Sequence, residues 1–317
     1  MTRYLIGRIA QALVVLWATW TVTYVILYLL PGDALSIMLT ASGVELDTLT
    51  PAEEQRYRAA YGLDQGPVAQ YFSLLGDTLR GDFGQSPSRQ GQPVLDLVLD
   101  RVPGTLALAA LAVVLSIAFG VGLAWVAAIV RWRPARILLS RLPSVGFSIP
   151  VFWAGLLLIQ VFAFQLGWFP SAGDEGIRSL ILPAVTLSIP SAAVYAQVLL
   201  RNMNDVWREP HIVTAQAKGL TRGEVQRRHV FRNAALPVLT LIGLQVGNTV
   251  SGAVLVETVF TRNGVGRLAQ ESVLRQDIPV VLAVVTLSAA AFVVVNLVVD
   301  LLYPLLDPRI AHVRKVA

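Results

Sequence analysis

The stretch 201–237, RNMNDVWREPHIVTAQAKGLTRGEVQRRHVFRNAALP, decides how this chain is read. It lies between two long apolar runs and holds seven of the chain's 25 basic residues. Pro210 ends any helix that runs out of the preceding apolar segment, because proline lacks the amide hydrogen a helix interior needs. His211 to Lys218 is long enough for about two helical turns. Gly219 follows where a helix C-terminus favours a left-handed residue. Thr221 and Glu224 stand three apart, as in a capping box, and open a second helix towards Pro237. A helix, a glycine and a second helix between two membrane segments predict a docking element. The basic charge by itself fits equally well with the general excess of Lys and Arg in cytoplasmic loops.

The flanking sequence defines the class. Of 317 residues, 55% are hydrophobic and 14% charged, with mean hydropathy +0.63. Soluble domains carry about 25% charged residues, so this is an integral membrane protein. The net charge of +5 and pI of 9.8 do not point to nucleic acid, since the bases sit in loops beside apolar segments. The absence of cysteine excludes disulfides, thiol catalysis and cysteine-ligated metals. The first apolar run is too long for a signal peptide and lacks a small-residue cleavage site, so it is expected to stay as an anchor.

Six segments have the roughly 20 apolar residues a membrane helix needs: about Ile9–Leu30, Thr105–Val130, Leu138–Phe164, Leu180–Leu200, Ala234–Phe260 and Pro279–Leu305. With both termini in the cytoplasm, the inner segments hold 16 basic residues in 63 positions and the outer ones nine in 104. That asymmetry places both termini inside. The expected architecture is an all-α membrane protein with six transmembrane helices. It forms a single membrane domain over 1–317, with a large extracytoplasmic loop at 31–101 and a cytoplasmic loop at 201–237.

The outer loop carries its own helix signals. Thr50, Pro51 and Glu53 supply a cap, a first-position proline and a capping-box acid. Gly66–Pro67 opens a helix with Val68, Tyr71, Phe72 and Leu75 on one face, ended by Gly81–Gly84. Pro93 begins a third helix leading into the second membrane segment. These read as short amphipathic helices at the outer interface, where Tyr71, Phe72 and Phe83 suit the boundary. Residues 165–179 form a turn-rich loop, and 261–278 a turn followed by a short helix.

Catalytic motifs are missing. The two lysines, Lys218 and Lys315, precede Gly219 and Val316, so no phosphate-binding loop ending in Lys-Ser or Lys-Thr exists. His211, His229 and His312 lack metal-ligand spacing and lie outside the apolar segments. The fifth segment is instead rich in polar groups, which are costly in a bilayer and mark pathways or helix contacts. Gln245, Asn248 and Gly252 share one face, Gly243, Gly247 and Ser251 form a small-residue stripe, and Glu257 lies near the outer end. Pathway lining and helix gluing are both compatible with these residues. Asp300 sits late in the sixth segment. Pro143, Pro150, Pro183 and Pro190 are positions where the third and fourth segments can kink.

The loop TAQAKGLTRGEVQRRHVFRNAALPVLT resembles the cytoplasmic signature of permease subunits of binding-protein-dependent ABC importers, in the dipeptide, oligopeptide and nickel branch. LPGD (30–33), YGLDQGPVAQYFSLLGDTLRGDFGQS (61–86), RVPGTLALA (101–109), VLVETVF (254–260), GVGRLAQESVLRQDIPVV (264–281) and LLYPLLDPR (301–309) resemble it as well. The resemblance implies the type I ABC importer permease fold in a bacterial plasma membrane. It implies a partner permease, normally a different chain, two ATPase subunits and an extracytoplasmic substrate-binding protein. No cofactor is expected in this chain, since ATP and Mg belong to the ATPases. ATPase coupling falls on Ala215, Ala217, Lys218, Gly219 and Leu220; Gln216 departs from the arginine common in that branch. Gln245, Asn248, Ser251 and Glu257 are the pathway-lining candidates. The expected function is non-catalytic: half of the translocation path of an ATP-driven peptide importer. Nickel or another small solute carried by the same machinery is the alternative, and a stand-alone secondary transporter the remote one.

Overall fold

A computed structural model describes residues 2–29, 34–44, 49–60 and 63–306; the side chains of 2–5, 34, 42, 60, 244, 246 and 299–306 fall outside the description. Asp300 and the motif positions 30–33, 61–62 and 307–309 therefore lie outside the described residues or side chains.

Helices dominate. In chain order they are α1 (Thr2–Tyr24, prolonged by a π-helical turn Val25–Leu29), α2 (Ala34–Ser42), α3 (Pro51–Ala60), α4 (Pro67–Leu79), α5 (Val94–Ile129) and α6 (Arg133–Ser148). There follow α7 (Val151–Leu158, prolonged by π-helical Ile159–Gln165), α8 (Gly176–Val206), α9 (Pro210–Ala217), α10 (Arg222–Val225), α11 (Phe231–Ala234), α12 (Leu236–Val259), α13 (Val265–Leu274) and α14 (Ile278–Leu306). Gln85–Ser86 and Gln92–Pro93 pair antiparallel in a short hairpin before α5.

Among the described residues, four helices can cross a membrane by length and composition: Ile6–Leu29, Val94–Ile129, Gly176–Val206 and Ile278–Val298. Two bent pairs bring the number to six if each is one crossing. The third predicted segment, Leu138–Phe164, is one of these and is not straight: α6 and Val151–Gln165 meet at 108°. Pro150 stands at the break as the N-cap of α7 and cannot continue the preceding turn. Of the four prolines where a kink is possible, Pro143 lies inside α6 and Pro183 and Pro190 inside α8, and Pro150 alone stands at a chain break. In α12, Leu236–Gly243 and Gly247–Val259 meet at 55°.

The chain divides into two compact units, Met1–Thr105 with Asn263–Leu297, and Leu106–Arg262 with Val298–Ala317. In the first, α4 lies against α1. Trp20 and Tyr24 are buried with Leu282, and Tyr71, Leu74 and Leu75 of α4 pack on them. The Tyr71 ring meets Trp20 and Tyr24 edge-on, and its hydroxyl oxygen accepts from Trp17 Nε1 at 2.9 Å. Trp20 Nε1 donates to Thr78 Oγ1 at 3.1 Å. The predicted face Val68–Tyr71–Phe72–Leu75 is thus split: Val68 and Phe72 remain 71% and 64% exposed. Polar anchors at Tyr71 and Thr78 set the rotation of α4, which apolar spacing does not encode. Thr50 and Glu53 form the expected cap, with Thr50 N donating to Glu53 Oε2 at 2.9 Å. The Thr50 hydroxyl, more than its amide, holds the Glu53 carboxyl below the usual carboxylate range.

The same unit buries a polar cluster where the hairpin meets the turn between α13 and α14. Asp277 is fully buried and accepts from the hydroxyls of Ser86 and Ser88 and from Ser88 N at 3.3 Å. Arg89 lies 3.6 Å from Asp277 Oδ2 and 3.3 Å from Glu271 Oε2. Beside it Val94, Val98, Leu268, Val280, Ala283 and Val284 form an apolar core.

The second unit is built around α8. One core joins Leu182, Ala184 and Leu187 of α8 to Leu108 and Ala112 of α5 and to Ala253, Val256 and Phe260 at the end of α12. Small residues set the closest approaches. A Cβ on Gly120 of α5 would meet Ala192 O at 2.7 Å and Tyr195 Cβ at 2.8 Å, both on α8. Gly120→Ala is expected to destabilise the chain by about 1–3 kcal/mol. Gly122→Ala, with nothing within 4 Å of the new atom, is not. Unfolding midpoints of the two variants in the same detergent check this; equal midpoints contradict the close α5–α8 crossing.

Candidate functional site

The site is built from the segment between α8 and α12. Pro210 occupies the first helical position of α9, where its missing amide hydrogen costs nothing. One face of α9 points inward. Ile212 and Ala215 are buried in a core with Tyr195, Leu199, Met203 and Val206 of α8 and with Val225, Val230 and Ala234. Leu220 is half-buried against the same core. The outer face presents His211, Val213, Thr214, Ala217 and Lys218, with Val213 64% exposed. Gly219 closes the helix with φ +81°, a backbone state that L side chains rarely adopt.

Of the five residues assigned to coupling by resemblance, Ala217, Lys218 and Gly219 are therefore exposed. Ala215 and Leu220 hold the element to the membrane helices. The large apolar side chain that α9 leaves exposed is Val213, which the sequence reading did not single out.

The second helix begins with the expected capping box. Glu224 N donates to Thr221 Oγ1 at 3.3 Å, and Thr221 N donates to Glu224 Oε2 at 2.9 Å. It then departs from a regular helix: Gln226–Val230 is π-helical before α11. Gln226, at the start of that turn, is a buried polar residue. Its Oε1 accepts from Trp207 Nε1 at 2.6 Å, and its Nε2 donates to Met203 Sδ at 3.0 Å. This pair fastens the second helix to the end of α8. The signal in the sequence was a glutamine between the apolar Val225 and Val230, readable only once its partner 19 residues away is known.

The bonds from the Thr221 amide and hydroxyl hold the Glu224 carboxyl below the usual carboxylate range. A depressed folded-state pKa stabilises the start of α10 above the ordinary carboxylate pKa and ceases to do so as pH falls through the depressed value. Amide exchange at Glu224 is expected to be slow and level at neutral pH and to speed up, beyond its intrinsic pH dependence, only in that acidic window. Thr221→Ala removes the hydroxyl cap at a cost of about 1 kcal/mol and narrows that window without abolishing it, because the amide of residue 221 still donates to Glu224.

The polar groups of α12 divide between two faces. Asn248 and Ser251 are exposed, and Asn248 Nδ2 donates to the half-buried Gln245 Oε1 at 2.6 Å. Thr249, Ala253 and Val256 are buried, and a Cβ on Gly252 would approach Leu187 of α8 at 3.1 Å. Glu257 is 1% exposed and lies on the packed side, away from the surface that Asn248 and Ser251 present. Gluing and an outward polar surface coexist on one helix.

This arrangement is that of a helical membrane protein with a short helix rooted in its core and presenting a separate face outward. The chain belongs to the family of binding-protein-dependent transport system inner membrane components, matched over residues 116–312, with the N-terminal module of that family matched over 1–109. It is 34% identical to the oligopeptide transport system permease protein AppB of Bacillus subtilis, over 98% of this chain and 100% of that one. It is 36% identical to the glutathione transport system permease protein GsiC of Escherichia coli K12, over 98% and 100%. Among solved structures it resembles the MetNI methionine ABC transporter in inward-facing form, with TM-score 0.53 and 15% identity over 67% of this chain and 96% of that chain. An amino acid ABC transporter gives TM-score 0.51 and 22% identity over 68% and 94%. These two likenesses concern the fold.

Proposed function

We propose that this chain forms one half of the translocation path of an ATP-driven importer for peptides, the cargo class in the names of its relatives from B. subtilis and E. coli. It acts as one permease domain with a second permease, two ATPase subunits and an extracytoplasmic substrate-binding protein. Six membrane crossings, each bent pair counted as one, leave both termini on the same side, and the Lys and Arg asymmetry supports the cytoplasm as that side, with the 31–101 loop outside. The chain carries no catalysis; ATP and Mg act in the partner ATPases. Asn248, Ser251 and Gln245 are the residues offered to the path.

The observation that carries this reading is the two-sided build of α9. Its root is buried with Met203 and Val206 of α8, while Val213, Ala217 and Lys218 face out. A partner pressing on that face moves a helix continuous in packing with the membrane core, as a rigid-body switch requires.

The test is Gly219→Val in the assembled importer in proteoliposomes. A β-branched residue at φ +81° costs about 1–2 kcal/mol and reorients the end of α9. Peptide uptake per ATP hydrolysed is expected to fall while the permease stays in the membrane. Uptake that remains fully coupled, or purification in mild detergent without any ATPase, overturns the reading.

A further inference from the structure

At the foot of the second unit two adjoining hollows of about 480 and 410 Å³ share Ala128, Arg136 and Arg222. Arg208 and Trp207 line the first, Arg131 the second. Four arginines thus converge from the end of α5, from α6, from the end of α8 and from α10. No Asp or Glu lines either hollow. Among the described residues none of the four forms an ion pair; Arg222 lies over the Trp207 ring at 5.4 Å. The acids nearby in sequence are engaged elsewhere or lie off the walls. Glu209 pairs with His211 at 3.1 Å, Glu224 is held by Thr221, and Asp205 does not line the cleft.

Four like charges in one cleft repel each other, and no described acid lines the cleft to offset them. Guanidinium groups match phosphate oxygens with paired hydrogen bonds. The walls say which phosphate: Ala127, Ala128, Ile129 and Leu200 belong to the ends of two membrane-length helices, so the cleft opens where hydrocarbon gives way to headgroups. We propose that this cleft binds the phosphate headgroup of an anionic phospholipid, with Arg136 and Arg222 as its shared centre. The bound phosphate would tie α6 and the end of α8 to α10, bracing the root of the coupling element. Only the leaflet, the cytoplasmic one, is taken from the proposed function; the binding chemistry is independent of it, and the test below involves no transport.

The full chain in a neutral detergent is titrated with phosphatidylglycerol and, separately, phosphatidylcholine, and bound lipid is counted by native mass spectrometry. Phosphatidylglycerol is expected to bind selectively. The variant Arg136→Gln/Arg222→Gln is expected to weaken it by about tenfold or more. Arg227→Gln/Arg228→Gln, an equal loss of charge on exposed residues outside the cleft, should leave it within about twofold. Equal weakening in both variants, or no preference between the lipids, overturns the proposal in favour of diffuse surface charge. Displacement of the lipid by millimolar inorganic phosphate overturns it in favour of a free-phosphate site.

Discussion

Gln226→Leu is expected to leave ATP hydrolysis by the assembled importer running while peptide uptake per ATP falls by about tenfold. Trp207 Nε1 gives its hydrogen to Gln226 Oε1 at 2.6 Å, and leucine offers no acceptor. A partly buried indole donor left without a partner costs about 1–3 kcal/mol. That loss falls on the contact joining the second helix to α8, leaving the exposed face of α9 in place. The ATPase partner should still bind, but the push it delivers is dissipated in a loosened joint. Trp207→Phe combined with Gln226→Leu removes donor and acceptor together, which is far less costly than removing one. The double variant is therefore expected to recover part of the coupling, and a double-mutant cycle on transport stoichiometry measures how much. Unchanged stoichiometry in the single variant, or a double variant worse than both singles, refutes the joint.

Asp277→Ala is expected to destabilise the first unit by about 3–5 kcal/mol, the cost of breaking a buried charged pair from one side. Asp277 is fully buried, and Ser86, also fully buried, directs its hydroxyl at it. Ser88 contributes both its amide and its hydroxyl, and Arg89, with its side chain 12% exposed, approaches at 3.6 Å. Alanine leaves these donors facing an apolar void. Arg89 keeps Glu271 at 3.3 Å, so its charge is not wholly stranded, which favours the lower end of the range. Asp277→Asn retains one carbonyl oxygen and should lose less. The readout is protease sensitivity of the hairpin around Gln85–Pro93 together with the unfolding midpoint. A chain as resistant as the parent would show that the cluster adds nothing to stability.

Much of the outline was legible in the sequence because it depends on local chemistry. Apolar runs of about 20 residues mark the membrane helices, since a single segment can satisfy its own backbone hydrogen bonds in lipid only as a helix. Gly219 after Lys218 and the Thr221–Glu224 spacing announce a helix end and a helix start, and both stand as read. Local signals misled where a tertiary contact took over. The apolar spacing put Val68, Tyr71, Phe72 and Leu75 on one face, but the packing of Tyr71 and Leu75 on α1 divides that face and leaves Val68 and Phe72 exposed. Leu138–Phe164 has the composition of one span, yet proline at 150 divides it at 108°.

By itself the sequence determined that this is a membrane protein built of apolar helices and where the short helices between them start and stop; that it is a permease came from its resemblance to a family. Composition, periodicity and capping act within a few residues and are written along the chain. Tertiary structure decided which side chains of α9 face inward, that Glu257 is buried while Asn248 and Ser251 are exposed, and that Trp207 holds Gln226. It also placed Ser86 against Asp277, 191 residues apart. Such pairs are set by which helices meet and how each is rotated. A polar side chain in an apolar segment does not reveal its partner until the packing of another helix brings that partner within hydrogen-bond reach.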